Sequence, residues 1–264
     1  MTCPTEPEIN HEELDIFYLV HETLDFIVYI DSTLTIEWET TTIYDKNGRK
    51  NPEEHNQILN CAASIECIPN EHQSQSIRIN FKRMVGEGIA RSLKDDYVNA
   101  QKILDEAFEY ITKRNIERAR YWQLSTINIT GFIFVFAGLI LWYFRSFFYS
   151  ILGETGFFCI LASCAGAVGA NLSFILRIGQ IQVTSEAEKK LHVLESISRI
   201  LAGAISGFII SILIRLGILI PVFGMAKETY IAMVAGGFFA GVSERLVPSL
   251  IAQFENRKNG ENDG

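Results

Sequence analysis

Charge is scarce where this chain is most apolar. Residues 125 to 264 hold only 9 acidic and 10 basic side chains, whereas the stretch up to Leu124 holds 22 and 13, so the two parts carry net charges of +1 and −9. The scattered cysteines Cys3, Cys61, Cys67, Cys159 and Cys164 offer no disulfide framework. The histidines, at positions 11, 21, 55, 72 and 192, have no ligand spacing with a second His or Cys and read as ordinary surface residues. There is no phosphate-binding loop, GxSxG, HExxH or dinucleotide fingerprint, so catalytic, metal and cofactor residues are all expected to be none. The opening MTCPTEPEIN carries acids where a signal peptide needs bases, and no apolar segment follows it. Aromatic and aliphatic residues occur throughout, which excludes intrinsic disorder.

What the second part does have is long apolar runs. Four are separated by short polar stretches: about Ile127 to Phe144, Gly156 to Leu176, Ile200 to Ile220 and Tyr230 to Val247. At about 1.5 Å per residue, such runs are suited to cross roughly 30 Å of hydrocarbon. The expected fold class is therefore predominantly α, a four-helix transmembrane bundle with a small cytoplasmic N-terminal α or α+β domain. The expected organisation is an acidic domain over 1–81, an amphipathic juxtamembrane helix or helical hairpin over 82–124, the bundle over 125–247, and an amphipathic segment with a disordered tail over 248–264.

Positive charges set the expected orientation. Lys113, Arg114, Arg118 and Arg120 precede the first run, Arg177, Lys189, Lys190 and Arg199 flank the second and third, and Arg245, Arg257 and Lys258 follow the fourth. The opposite side offers only Arg145 and Lys227. Both termini are thus expected in the cytoplasm.

In the first part, Val85, Ile89, Leu93, Tyr97, Leu104, Phe108 and Ile111 recur at helical spacing, with an expected break at Thr112 to Asn115. Gly86 and Gly88 mark either the start of the regular helix or a closely packed neighbour. Leu14 to Leu24 reads as a helix, Phe26 to Ile30 with Leu34 to Trp38 as a short hairpin, and Pro52 to about Glu66 as a helix capped by Asn51. Residues 1 to 71 hold 15 acids and 3 bases, which disfavours nucleic acid and anionic lipid. This charge suits either a well-solvated domain or one that meets a basic partner surface.

Small residues four apart predict helix contacts at Gly166 and Ala170, at Gly203 and Gly207, and at Gly237 and Gly241. These stripes serve packing within one bundle or between subunits, leaving monomer and homo-oligomer both open. A charge clamp is expected between Glu244 and either Arg177 or Arg199, with Arg245 turned to headgroups and Arg215 snorkelling outward. Matches at an offset of 70, such as Gly166 with Gly236 and Ser173 with Ser243, hint at duplicated hairpins.

The stretches GEGIARSLKDDYVNAQKILDEAFEYITKRNIERARYWQLS (86 to 125) and AGGFFAGVSERLVPSLI (235 to 251) resemble a widespread group of bacterial membrane proteins. The shared pattern is an aromatic, basic entry into the first span and the closing motif of Gly241, Ser243, Glu244, Arg245, Val247 and Pro248. The resemblance implies membrane class and bacterial origin, and with them a location in a bacterial inner membrane, but no activity. The functional expectation is a non-enzymatic protein whose cytoplasmic domain meets a soluble protein or small ligand and signals to the bundle, with membrane permeabilisation as its sharpest form. A passive anchor for a soluble complex is the alternative, and a small transporter lined by Asn128, Asn171 and Ser206 is a third.

Overall fold

The computed structural model describes residues 14–178, 188–218 and 229–243. It is mostly helical, with a small sheet near the N-terminus. The chain divides into two compact units, Met1–Arg118 and Ala119–Gly264.

The first unit opens with strands β1 (Tyr18–Glu22), β2 (Phe26–Ile30) and β3 (Ile36–Thr40), antiparallel in the order β1-β2-β3. The expected hairpin is β2 with β3, but the helix expected over Leu14 to Leu24 is instead the strand β1. Its apolar spacing suits a helix locally, yet the chain reverses at Thr23, whose hydroxyl oxygen accepts from the Phe26 N–H. That turn puts Tyr18 opposite Ile30 and Glu22 opposite Ile27, and ladder pairing overrides local spacing. The second turn is organised by Asp31, which accepts from the amides of Thr33 and Thr35 while Leu34 takes a left-handed φ of 65°.

Helix α1 (Thr42–Asn47) is capped by Thr41 and stops at Gly48. In α2 (Pro52–Glu66) the Asn51 side chain accepts from Glu54 N–H, and Pro52 occupies the first turn, where no amide donor is needed. Helix α3 (Gln75–Leu93) and helix α4 (Tyr97–Tyr143) follow. The break expected at Thr112 to Asn115 falls instead at residues 94 to 96. Asn115 is buried within α4, accepting from Gln73 and donating to the Pro69 carbonyl. At the true break Asp95 adopts φ 59°, and its carboxylate accepts from the Tyr97 hydroxyl and the Lys50 amide. These bonds hold its carboxyl below the ordinary range, the Tyr97 hydroxyl contributing most.

Gly86 and Gly88 lie inside α3 because neighbours approach closely there. A methyl on Gly86 would stand 3.2 Å from Val20 of β1, and one on Gly88 2.7 Å from Leu104 of α4. Around this contact Phe81, Val85, Leu93, Leu104 and Ile111 are buried with β2. Each contributes about 1.5–3 kcal/mol of burial. One ion pair lies at the edge of this core: Lys82 of α3 meets Glu66 of α2 at 2.5 Å, and the same carboxylate oxygen accepts from the Ile36 amide.

The second unit contains the rest of α4, then α5 (Arg145–Arg177), α6 (Lys189–Arg215) and α7 (Thr229–Val242). Helices α4, α5 and α6 are long and apolar enough to cross a membrane. Helix α7 has 14 residues and is apolar but shorter, about 21 Å at the helical rise. The expected fourth span, Tyr230 to Val247, lies only partly within the described residues, which thus contain three helices of spanning length. The apolar part of α4 exposes Phe132, Phe136 and Leu139. In α5 the helical path is interrupted at Gly153, with φ 69° and ψ 167°.

Candidate functional site

Gly166 stands where α5, α6 and α7 meet. Methyl groups on Gly207 of α6 and Gly237 of α7 would each come within 2.5 Å of one oxygen, the Ala162 carbonyl of α5. A methyl on Gly203 would strike Ala170 and lie 2.8 Å from the Gly166 carbonyl oxygen, and one on Gly241 would overlap the Gly166 backbone. The six residues expected to mark helix contacts are therefore gathered at one three-helix junction. Between apolar helices in lipid there is little hydrophobic driving force, so backbone approach, dispersion and Cα–H···O contacts must hold the helices together. Ser163 adds a hydrogen bond to the Ala204 carbonyl at 2.8 Å.

Arg177, the last residue of α5, donates to the Ser173 hydroxyl at 2.6 Å and to the Val242 carbonyl at 3.1 Å. A cation at the final carbonyls of α7 satisfies an otherwise unpaired acceptor and complements the helix dipole. Arg199 pairs with Glu195 at 2.9 Å and lies over the Phe174 ring. Glu244 and Arg245, the carboxylate of the expected clamp and its neighbour, lie outside the described residues; Ser243 is described, and its amide donates to the Phe239 carbonyl. Arg215 ends α6 and lies 5.9 Å above the Tyr230 ring, a cation–π arrangement at the opposite end of that helix from Lys189.

A second constellation joins α4 to α6. Gln123 and His192 are 2% and 3% exposed, so His192 is a buried residue and not the surface histidine expected from spacing alone. The Gln123 amide nitrogen lies 3.3 Å from His192 Nδ1 and 3.2 Å from Glu195 Oε2. The Trp122 ring is 6.3 Å from the imidazole, and Ser196 bonds back to the His192 carbonyl. Among the described residues, no protein group partners His192 Nε2 or Gln123 Oε1. Sequence reasoning missed Gln123, His192 and Glu195; the available signal was three polar residues flanking apolar spans at positions that face one another only after folding.

Beside the glycine junction lies an open cleft of about 420 Å³, bounded by Phe174, Glu195, Arg199, Ser206 and Gly241. Ser206 thus borders a cleft, while Asn171 does not: it packs against Gly131 of α4 and donates to the Ile127 carbonyl at 3.1 Å.

In the first unit His55 is also buried rather than a surface residue, at 1% exposure, with Nδ1 2.8 Å from the Ser92 hydroxyl. Burial, aided by the nearby Arg49 charge, pushes its pKa below the ordinary 6.5. Among the described residues no group of three or more His, Cys, Asp or Glu is placed to hold a metal ion. Comparison with family models, with curated proteins and with solved structures gave no match, so the likeness to bacterial membrane proteins supplies neither a family nor an activity.

Proposed function

We propose that this chain is a non-enzymatic, multi-pass inner-membrane protein of four spans, with both termini cytoplasmic. Its N-terminal unit meets a soluble protein or small ligand, and the bundle responds, in the sharpest form by permeabilising the membrane. The observation that carries this reading is α4. A single helix from Tyr97 to Tyr143 supplies Leu104 and Ile111 to the N-terminal core and then becomes an apolar span. Such an element offers a continuous hydrogen-bonded path for a binding event to reach the bilayer.

The passive anchor is the second reading, favoured by the backbone contacts around Gly166. Around Gly166 the described backbones of α5, α6 and α7 approach to contact, which supports a packed bundle over a lumen at that level and would leave permeabilisation to several copies. The transporter reading loses its main support, because Asn171 is occupied by Gly131 and the Ile127 carbonyl.

Membrane potential in bacteria distinguishes these readings. Full-length protein and residues 119–264 are expressed at matched membrane levels. Depolarisation by the shorter form alone is expected for an effector restrained by its N-terminal unit. Full potential with both forms moves the assignment to the anchor.

A further inference from the structure

Before Lys46 the chain holds eleven aspartates and glutamates and neither lysine nor arginine. The sheet gives this charge a face. Phe26, Val28 and Ile30 of β2 turn into the core beside α3, so the alternate residues Ile27 and Tyr29 point to the opposite face. Directly opposed residues of neighbouring strands share a face, and the register sets Glu37 opposite Tyr29, with Glu39 and Glu22 on either side of Ile27. Glu37 and Glu39 are exposed, and among the described residues neither has an ion-pair or hydrogen-bond partner. Two residues apart on one strand, they stand about 7 Å from each other.

Tyr29 lies between these acids and is 7% exposed. Its hydroxyl has no hydrogen-bond partner among the described residues, yet the oxygen is not sealed from solvent. Burial, and after it the charges of Glu39, Glu37, Asp31 and Asp15, raises its pKa above the ordinary 10. The phenol therefore keeps its proton within reach of four carboxylates, and its oxygen remains an open acceptor. The surroundings supply no cation to this face. Lys82, whose charge reaches Asp31, is already bound to Glu66, and Lys94 meets His21, whose partner Val28 faces the core. Asp15 and Asp31 accept from Ser32, Thr33 and Thr35 and close one end of the face. Residues 1–13, outside the described part, carry four glutamates and no lysine or arginine, so they add negative charge and no counter-ion.

We propose that this outer sheet face, centred on Tyr29, Glu37 and Glu39, is the docking surface for an arginine-rich segment of a soluble protein partner. One guanidinium lies between the two carboxylates, donating to both from opposite edges and to the Tyr29 oxygen from a third N–H. A planar fork of five donors fits such a trio, whereas an ammonium offers three donors around one point. A metal ion fits less well, since among the described residues no group of three or more His, Cys, Asp or Glu is placed to hold one. The inference rests on the reading that the N-terminal unit meets a partner, and it names that partner's chemistry.

The full chain in neutral detergent is titrated into a fluorescently labelled peptide of about ten residues, arginine alternating with serine, at about 0.15 M salt, and anisotropy is followed. Micromolar binding is expected, weakened about tenfold by Glu37→Gln with Glu39→Gln and about fivefold by Tyr29→Phe. Glu53→Gln with Glu71→Gln removes the same charge from α2 and from the turn before α3, and is expected to cost less than about twofold. No binding, equal losses from the two glutamate pairs, or undiminished binding with Tyr29→Phe each overturns the proposal. Spermine that competes as well as the unlabelled peptide assigns the face to a small polycation and overturns the protein segment. Thermal melts confirm that the variants are folded. Should Tyr29→Phe melt lower, the ¹³C ring resonances of Tyr29 in the unaltered chain take its place: they are expected to shift on peptide addition, and unmoved resonances overturn the proposal. Depolarisation by residues 119–264 without peptide binding by the full chain would remove this surface and leave the functional reading standing.

Discussion

The Gly166 carbonyl of α5 lies directly against the backbone of Gly241 in α7, with no side chain between them. Replacing Gly241 by alanine must push the two helices apart, and Gly203 and Gly207 of α6 also lie close against the Gly166 backbone, so α5 has little freedom to yield.

Gly241→Ala and Gly166→Ala are each expected to destabilise the bundle by about 1–3 kcal/mol through overpacking. Gly138→Ala is the control, because its nearest neighbour would lie 3.7 Å away, at ordinary contact. There the gain in helix propensity should leave stability unchanged or raised by up to about 1 kcal/mol. Unfolding in mixed micelles with increasing SDS measures all three, and equal effects at positions 138 and 241 would sink the backbone-contact account.

Lys82 is the more buried partner of its ion pair, with 10% of its side chain exposed against 27% for Glu66. Glu66→Ala strands that ammonium and also removes the acceptor for the Ile36 amide. The expected loss is about 2–3 kcal/mol, below the range for fully buried pairs because Glu66 is partly solvated. Lys82→Met, which fills the same space without charge, should cost less. Thermal melts followed by Trp38 emission compare the two, and the opposite order would refute the argument.

His55 gives the N-terminal unit a pH dependence whose sign follows from burial. Its pKa is depressed on folding, so below the ordinary 6.5 the unfolded chain binds more protons than the folded one. This stabilisation is complete above that value and declines as pH falls from 6.5 toward the folded pKa. His55→Asn is expected to flatten the melting temperature between pH 7 and pH 5 while lowering it by the equivalent of about 1 kcal/mol at neutral pH. A slope that survives the substitution would assign the effect elsewhere.

Asn171 is expected to act in packing alone. Asn171→Ala should cost about 1 kcal/mol from the lost bond to the Ile127 carbonyl and leave solute permeability of vesicles unchanged. Altered permeability with intact folding would restore the transporter reading.

Local physics made parts of this fold legible. Helix α2 was readable to its cap because Asn51 and Pro52 act within one turn of the residues they organise. The long helices were readable from hydropathy because bilayer thickness sets a length that few other environments require. Strand β1 was not, since its partner β2 becomes adjacent only through the turn at Thr23. The α3–α4 break was hidden for a related reason: Lys94, Asp95 and Asp96 look like a solvated helical face until Lys50, about 45 residues away, supplies the amide that Asp95 accepts. The glycine junction was legible as spacing, though not as one meeting point of three helices. Gln123 and His192, 69 residues apart, carry no local pattern, and their burial exists only once α4 and α6 are paired.

The interruption in α5 selects for handedness rather than size. Nothing would stand within 4 Å of a methyl on Gly153, yet its φ of 69° with ψ of 167° is a conformation that an L-residue adopts only under strain. Its mirror image is an ordinary extended conformation. A D-alanine introduced there by chemical ligation should fit without cost and, by narrowing the freedom of the unfolded chain, hold the corner more firmly than glycine does, whereas L-alanine in the same open space should loosen it.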